Sequence, residues 1–124
     1  MVEDQLIELT KQLIALNEAA FQSYNSVRET GVQGDFYLEV KPFADRVKHM
    51  CDEWLPLATE WVETVQPKHL HSIQLKNTSE NLQMVSVKAF FPDASLKKFK
   101  EHIRSVDYVL RRLLEELTKY HNNP

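Results

Sequence analysis

Glycine is nearly missing from this chain. Two occur, Gly31 and Gly34, three residues apart in one segment. Folds built from hairpins need glycine in tight turns with positive φ, so the chain does not read as β-rich. The same scarcity removes a phosphate loop, a Gly-x-Gly-x-x-Gly dinucleotide turn and a Gly-x-Ser-x-Gly nucleophile elbow. Cysteine occurs once, as Cys51. An intrachain disulfide is therefore excluded, and a cysteine-based zinc site lacks its ligands. No apolar run approaches the ~20 residues that span a bilayer. The opening "MVEDQLIELTKQ" has neither the basic nor the apolar region of a signal peptide. These absences lead to the expectation of a reduced, cytoplasmic setting with no membrane partner. The net charge of −3 speaks against a nucleic-acid partner.

What the sequence does have is periodicity. The 124 residues suit one domain, 1–124, with a short disordered tail at about 121–124. From Leu6, apolar residues fall at Leu9, Leu13, Leu16, Ala20, Tyr24 and Val27, the alternating three-and-four step of one helix face. Ile7, Ile14 and Phe21 widen it. "TGVQGD" then marks a loop closed by Asp35 as an N-cap. A second stripe runs Phe36, Val40, Phe43, Val47, Met50, Trp54, Leu57, Trp61 and Val65. Pro42 either opens that helix after a short lead-in or kinks it, and Pro56 lies well inside it, where a bend is expected. Leu75, Thr78, Leu82, Val85 and Ala89 make a third stripe. The fourth runs from Leu96 through Phe99, Ile103, Val106, Leu110, Leu113 and Leu117 to Tyr120, capped by Asp93 or Ser95. Four amphipathic helices on short loops predict an all-α fold. The favoured form is an antiparallel up-down-up-down four-helix bundle, left-handed, with crossing angles of about 20° and a proline kink in helix two.

The known chemistries of bundles fit poorly. Di-iron carboxylate bundles need Glu-x-x-His, and the residues three before the histidines are Arg46, Gln66, Lys68, Phe99 and Thr118. Asp45, His49 and Glu53 share a helix face, but it points away from the apolar stripe, and a solvated charged face is the plainer reading. Cys51 sits beside Met50 on the apolar side, as a buried thiol. Trp54 and Trp61, seven apart, read as core. We therefore expect no cofactor, no metal and no catalytic residue. One feature breaks a rule. Lys97, Lys98 and Lys100 crowd the first turns of helix four, where the helix dipole disfavours cations. Lys97, Lys100, Arg104 and Arg111 line one flank, a candidate interaction surface set against the plainer reading of a solubilising face.

"GDFYLEVKPFAD", "QPKHLHSIQL" and "LKKFKEHIRSVDYVLRRLLEEL" together resemble the YppE-like family, small proteins of bacilli and related Gram-positive bacteria that form a bacterial domain of unknown function. The resemblance covers nearly the whole chain and implies a four-helix bundle. It supplies no activity, cofactor or catalytic residue.

Two function classes follow. The first is a non-catalytic cytoplasmic interaction or regulatory module, a monomer or weak homodimer with an unknown protein partner. Met84, Val87 and Phe91 lie outside the third stripe and either widen the core face or form an apolar patch. The alternative is an enzyme or small-ligand protein with a polar site at the bundle end. There the third stripe, extended backwards, passes through Gln74 and His71 but not His69. That extension places His71 and Gln74 inward beside Trp61, Val65, Leu117 and Tyr120. The hydroxyl of Tyr120, the carboxylates of Glu115 or Glu116 and the free backbone N–H groups at the helix start are then their hydrogen-bond partners. The plainer reading is a polar plug that also caps the helix.

Overall fold

The structure, a computed structural model, describes residues 2–122. It is all-α. Helix α1 spans Val2–Thr30, α2 spans Lys41–Val65, α3 spans Ser72–Lys88 and α4 spans Leu96–Asn122. They pack as a helical bundle around one core. Helix α4 reaches two residues into the segment expected to be a disordered tail, and positions 123 and 124 lie outside the described residues.

Local chemistry explains the ends. Gly31 follows α1 with φ +72° and donates its N–H to Val27 O at 2.8 Å, the left-handed residue that often closes a helix. Asp35 Oδ1 accepts the Leu38 N–H at 2.8 Å. Between them Gly34 passes so close to Phe90 that an added Cβ would sit 2.7 Å from its Cδ1. Only glycine fits there without displacing the ring.

Residues Phe36–Val40 then form one wide π-type turn, with Val40 N–H reaching back to Asp35 O at 3.0 Å. It was not expected. It is the lead-in to α2, and Pro42 stands in the first turn, where a proline costs no hydrogen bond. The helix continues through Pro56 to Val65. Ser95, not Asp93, caps α4, accepting the Lys98 N–H at 3.4 Å.

The stripes are the core. Leu6, Leu13, Ala20 and Tyr24 of α1, Val47 and Trp54 of α2, Leu75, Leu82 and Val85 of α3, and Val106, Leu110 and Leu113 of α4 are all fully buried. Each such large aliphatic side chain contributes about 1.5–3 kcal/mol by leaving water. The ends of the stripes depart from expectation. Phe36, Leu96 and Tyr120 are exposed. Phe36 lies on the π-type turn, whose wider pitch takes it out of phase with α2. Met84 of α3 and Phe91, just past it, are half-buried, and Val87 is exposed.

Contacts between neighbours run head to tail. Tyr24, late in α1, stacks on Phe99, early in α4, with centroids 3.9 Å apart. Phe43, early in α2, meets Phe90, just past α3, edge to face at 5.8 Å. Trp54 Nε1, midway along α2, donates to Thr10 Oγ1, in the first half of α1, at 3.0 Å. One end of the bundle thus gathers the α1–α2 and α3–α4 connections. The other gathers the α2–α3 loop and the start of α1.

Candidate functional site

The α2–α3 loop begins where Gln66 takes φ 55° and donates its N–H to Val62 O. His69 also has positive φ, at 62°. Leu70 is buried and His71 is exposed. His71 occupies the N-cap position of α3 in extended backbone, and its N–H donates to Gln74 Oε1 at 2.7 Å. Gln74 stands at the third helical position, so its side chain plays the glutamine part of a capping box. Leu70 and Leu75, both buried, hold the two positions of a hydrophobic staple.

This corrects the expected inward cluster of His71, Gln74 and Tyr120. The expectation ran the helical period backwards past Ser72, where the helix starts. In extended backbone the side chains alternate instead, so Leu70 turns inward and His71 outward. Tyr120 is 49% exposed and packs edge to face on Trp61, with centroids 5.7 Å apart. Among the described residues no hydrogen bond joins it to His71 or Gln74.

The polar group that does close this end is Arg112, which was not singled out, together with Glu116. Arg112 Nη2 donates to Lys68 O at 3.2 Å, and Arg112 Nη1 pairs with Glu116 Oε1 at 2.7 Å. Glu116 is buried on α4. The signal available in the sequence was the i, i+4 spacing of Arg112 and Glu116 beside the Leu113–Leu117 stripe. Around the loop lies an open cleft of about 630 Å³ lined by Glu63, Lys68, His69 and His71 among others. Among the described residues no group of three His, Cys, Asp or Glu side chains is placed to hold a metal ion.

The N-cap geometry predicts the outcome of three substitutions. His71→Asp should raise stability by about 0.5–1 kcal/mol, because a carboxylate is a better cap and faces the positive end of α3. Gln74→Ala should lower it by a similar amount. His71→Ala should change little. Thermal denaturation reads all three, and a loss from His71→Ala larger than from Gln74→Ala would return His71 to the interior.

The basic flank of α4 is shorter than expected. Lys97 and Arg104 are exposed and Lys100 is half-buried. Arg111 is engaged at both sides, by Asp107 Oδ1 at 2.8 Å and by Glu18 Oε1 of α1 at 2.8 Å. Asp107, and then Glu18, push the Arg111 guanidinium above its usual pKa. Arg111 stays charged, and the two carboxylates beside it offset its contribution to the flank. Asp45, His49 and Glu53 are solvated, as expected. Asp45 pairs with Lys41, and His49 with Glu53.

Cys51 is fully buried in α2. Burial is the largest cause pushing its thiol from 9.0 up to about 11, with Ser79 of α3 opposing. A thiol held neutral is a poor nucleophile. Alkylation at neutral pH should wait for denaturant. The raised value also sets a sign. The folded state keeps the proton that the unfolded chain gives up. This contribution is thus complete below about 9 and is lost as pH rises through about 11. The loss should reach no more than about 3 kcal/mol. Urea midpoints of the wild type and Cys51→Ala across that window check it, since only the wild type carries this part of the fall.

At the opposite end stands a group of exposed apolar residues close together in sequence. Val32 is 67% exposed, Phe36 56%, Tyr37 76% and Leu38 80%. The turn holding them is fixed in place. Asp35 N–H donates to Glu39 Oε2 at 2.8 Å, Gly34 N–H to Phe90 O at 3.0 Å, and the rings of Phe36 and Tyr37 meet edge to face at 5.1 Å. The sequence pattern had assigned Phe36 to the core and passed over Tyr37 and Leu38. No helix among the described residues is long and apolar enough to cross a membrane.

The fold and its sequence have close counterparts. A crystal structure of a protein of unknown function from Listeria innocua superposes with a TM-score of 0.93 at 35% identity, covering 98% of each chain. The crystal structure of YppE from Bacillus subtilis gives a TM-score of 0.93 at 23% identity, over 99% of this chain and 100% of that one. By sequence, that uncharacterised YppE protein is 24% identical over 119 residues, 96% of this chain and 97% of its own. Residues 10–117 match the model of a bacterial domain of unknown function. The chain therefore belongs to the DUF1798 family, within which its resemblance to YppE extends over both sequence and fold.

Proposed function

We propose that the chain is a non-catalytic interaction module of the bacterial cytoplasm, binding protein through the turn that carries Phe36, Tyr37 and Leu38. The observation behind this reading is the exposure of three consecutive large apolar side chains on a turn held by its own hydrogen bonds. A contiguous apolar patch of this kind on a small protein marks an interaction site more often than a solvated surface. A prefixed turn also loses little conformational entropy on binding. Affinity capture from the native cell with wild type and Leu38→Glu tests the reading. A partner retained by the wild type and lost by the variant is expected. Identical retained sets would count against it.

A second reading has the cleft beside His69 and His71 in its favour, as a site for a small polar ligand. It requires a compound whose stabilisation of the wild type in thermal shift disappears in the His69→Ala/His71→Ala double variant.

A further inference from the structure

We infer that the end of the bundle bearing the exposed turn is a reciprocal docking surface for a second copy of this chain, joined by apolar contact at Tyr37 and Leu38 and by opposite charges at its two rims. The inference rests on the interaction reading above and names the partner.

Three observations carry it. The first is the apolar turn itself, with Tyr37 and Leu38 more than three-quarters exposed. The second is a division of charge. Residues 28–41 hold three carboxylates, Glu29, Asp35 and Glu39, and two cations. Of these, Lys41 is paired with Asp45 and Arg28 lies against Tyr24 and Ala94 O, so the carboxylates predominate on this rim. The start of α4, residues 96–104, holds Lys97, Lys98, Lys100 and Arg104 against the single carboxylate Glu101. Among the described residues none of these four cations has an ion-pair partner, and the lysines crowd the positive end of a helix dipole. The third is that both segments share one end of the bundle. Tyr24 and Arg28 of α1 bond Ala94 O, just before α4, at 2.6 and 3.4 Å. Gly34 bonds Phe90 O from the other side.

An acidic rim and a basic rim flanking one apolar turn are self-complementary. A two-fold axis through the turn sets the carboxylates of each copy against the lysines of the other, as an isologous interface requires. A separate acidic or basic partner would satisfy one rim and be repelled by the other. The same balance of signs disfavours an anionic membrane surface. Between α1 and the α1–α2 loop the end also carries an open cleft of about 380 Å³ of mixed lining, with Val27, Val32 and Phe90 beside Ser23, Thr30 and Glu39. With Tyr37 and Leu38 alone as its apolar centre, the dimer is a weak one.

Sedimentation analysis from micromolar to millimolar concentration tests this with the full chain. A reversible monomer–dimer equilibrium that weakens with salt is expected. Leu38→Glu should weaken it by roughly 30-fold or more, the size of a hot-spot loss. Lys97→Glu/Lys98→Glu and, separately, Glu29→Lys should each weaken it as well. Mixing those two charge-reversed proteins should restore association as a heterodimer, because both rims are again opposite in sign. All substituted positions are exposed, and circular dichroism checks that each variant is folded. A single monomeric species at every concentration overturns the inference, as does a mixture no tighter than its components. If the wild type is monomeric yet Leu38→Glu loses a captured partner, this inference falls while the interaction reading stands. If it is monomeric and retains nothing, both fall.

Discussion

Replacing Trp54 by alanine should lower the unfolding free energy by about 3–5 kcal/mol, the range for emptying a large aromatic site in a packed core. Trp54 is fully buried on α2 and donates Nε1–H to Thr10 Oγ1 at 3.0 Å. Thr10 in turn donates to Leu6 O at 2.7 Å, so the indole is tied to the backbone of α1 through one hydroxyl. The alanine variant loses both the packing and the tie. Trp54→Phe keeps most of the volume and loses the donor, and should cost about 1–2 kcal/mol. Thr10→Val on the Trp54→Phe background removes a hydroxyl that still donates to Leu6 O but whose oxygen has lost its indole donor, and should recover part of that loss. Urea unfolding followed by circular dichroism gives all three values. A cost below about 1 kcal/mol for Trp54→Ala would mean the site is not packed as described.

The fold was legible because four stripes repeat without interruption, and a helix must bury such a face. Even so, the periodicity tracked apolar side chains alone. Thr10, Asn17, Ser79 and Ser86 are also buried. Thr10 and Ser86 satisfy their hydroxyls on helix carbonyls of their own helices, at 2.7 and 2.6 Å. Asn17 donates across to Ile103 O at 3.0 Å. Such residues look polar in sequence and behave as small core residues once bonded. The same limit appears at the ends. The period of 3.6 held for Leu75 and failed at His71, because a cap residue is extended. It also failed at Phe36, because a π-type turn has a different pitch. The candidate surfaces fall at such departures from the α-helical period, where local hydrogen bonds rather than core packing aim the side chains.

The ion pair that closes the α2–α3 end provides the second large effect. Arg112→Met should cost about 2–3 kcal/mol. A fully buried pair that loses one member costs 3–5 kcal/mol, and the figure is lower here because the Arg112 side chain keeps 22% of its exposure. The remaining Glu116 carboxylate, 10% exposed, would have no cation beside it, and Lys68 O would lose its donor. Glu116→Leu should be milder, near 1 kcal/mol. The guanidinium would still hold Lys68 O and would keep the exposed Glu115, 3.9 Å from Nη1, as a counter-ion. The double variant Arg112→Met/Glu116→Leu should be more stable than Arg112→Met alone, since no buried charge is left unpaired. The loop gives an independent readout. Without the Arg112 bond, amide exchange across 68–71 should quicken in Arg112→Met and in the double variant but not in Glu116→Leu. Losses of equal size in all three proteins, with unchanged exchange in the loop, would show that Arg112 decorates the bundle end instead of closing it.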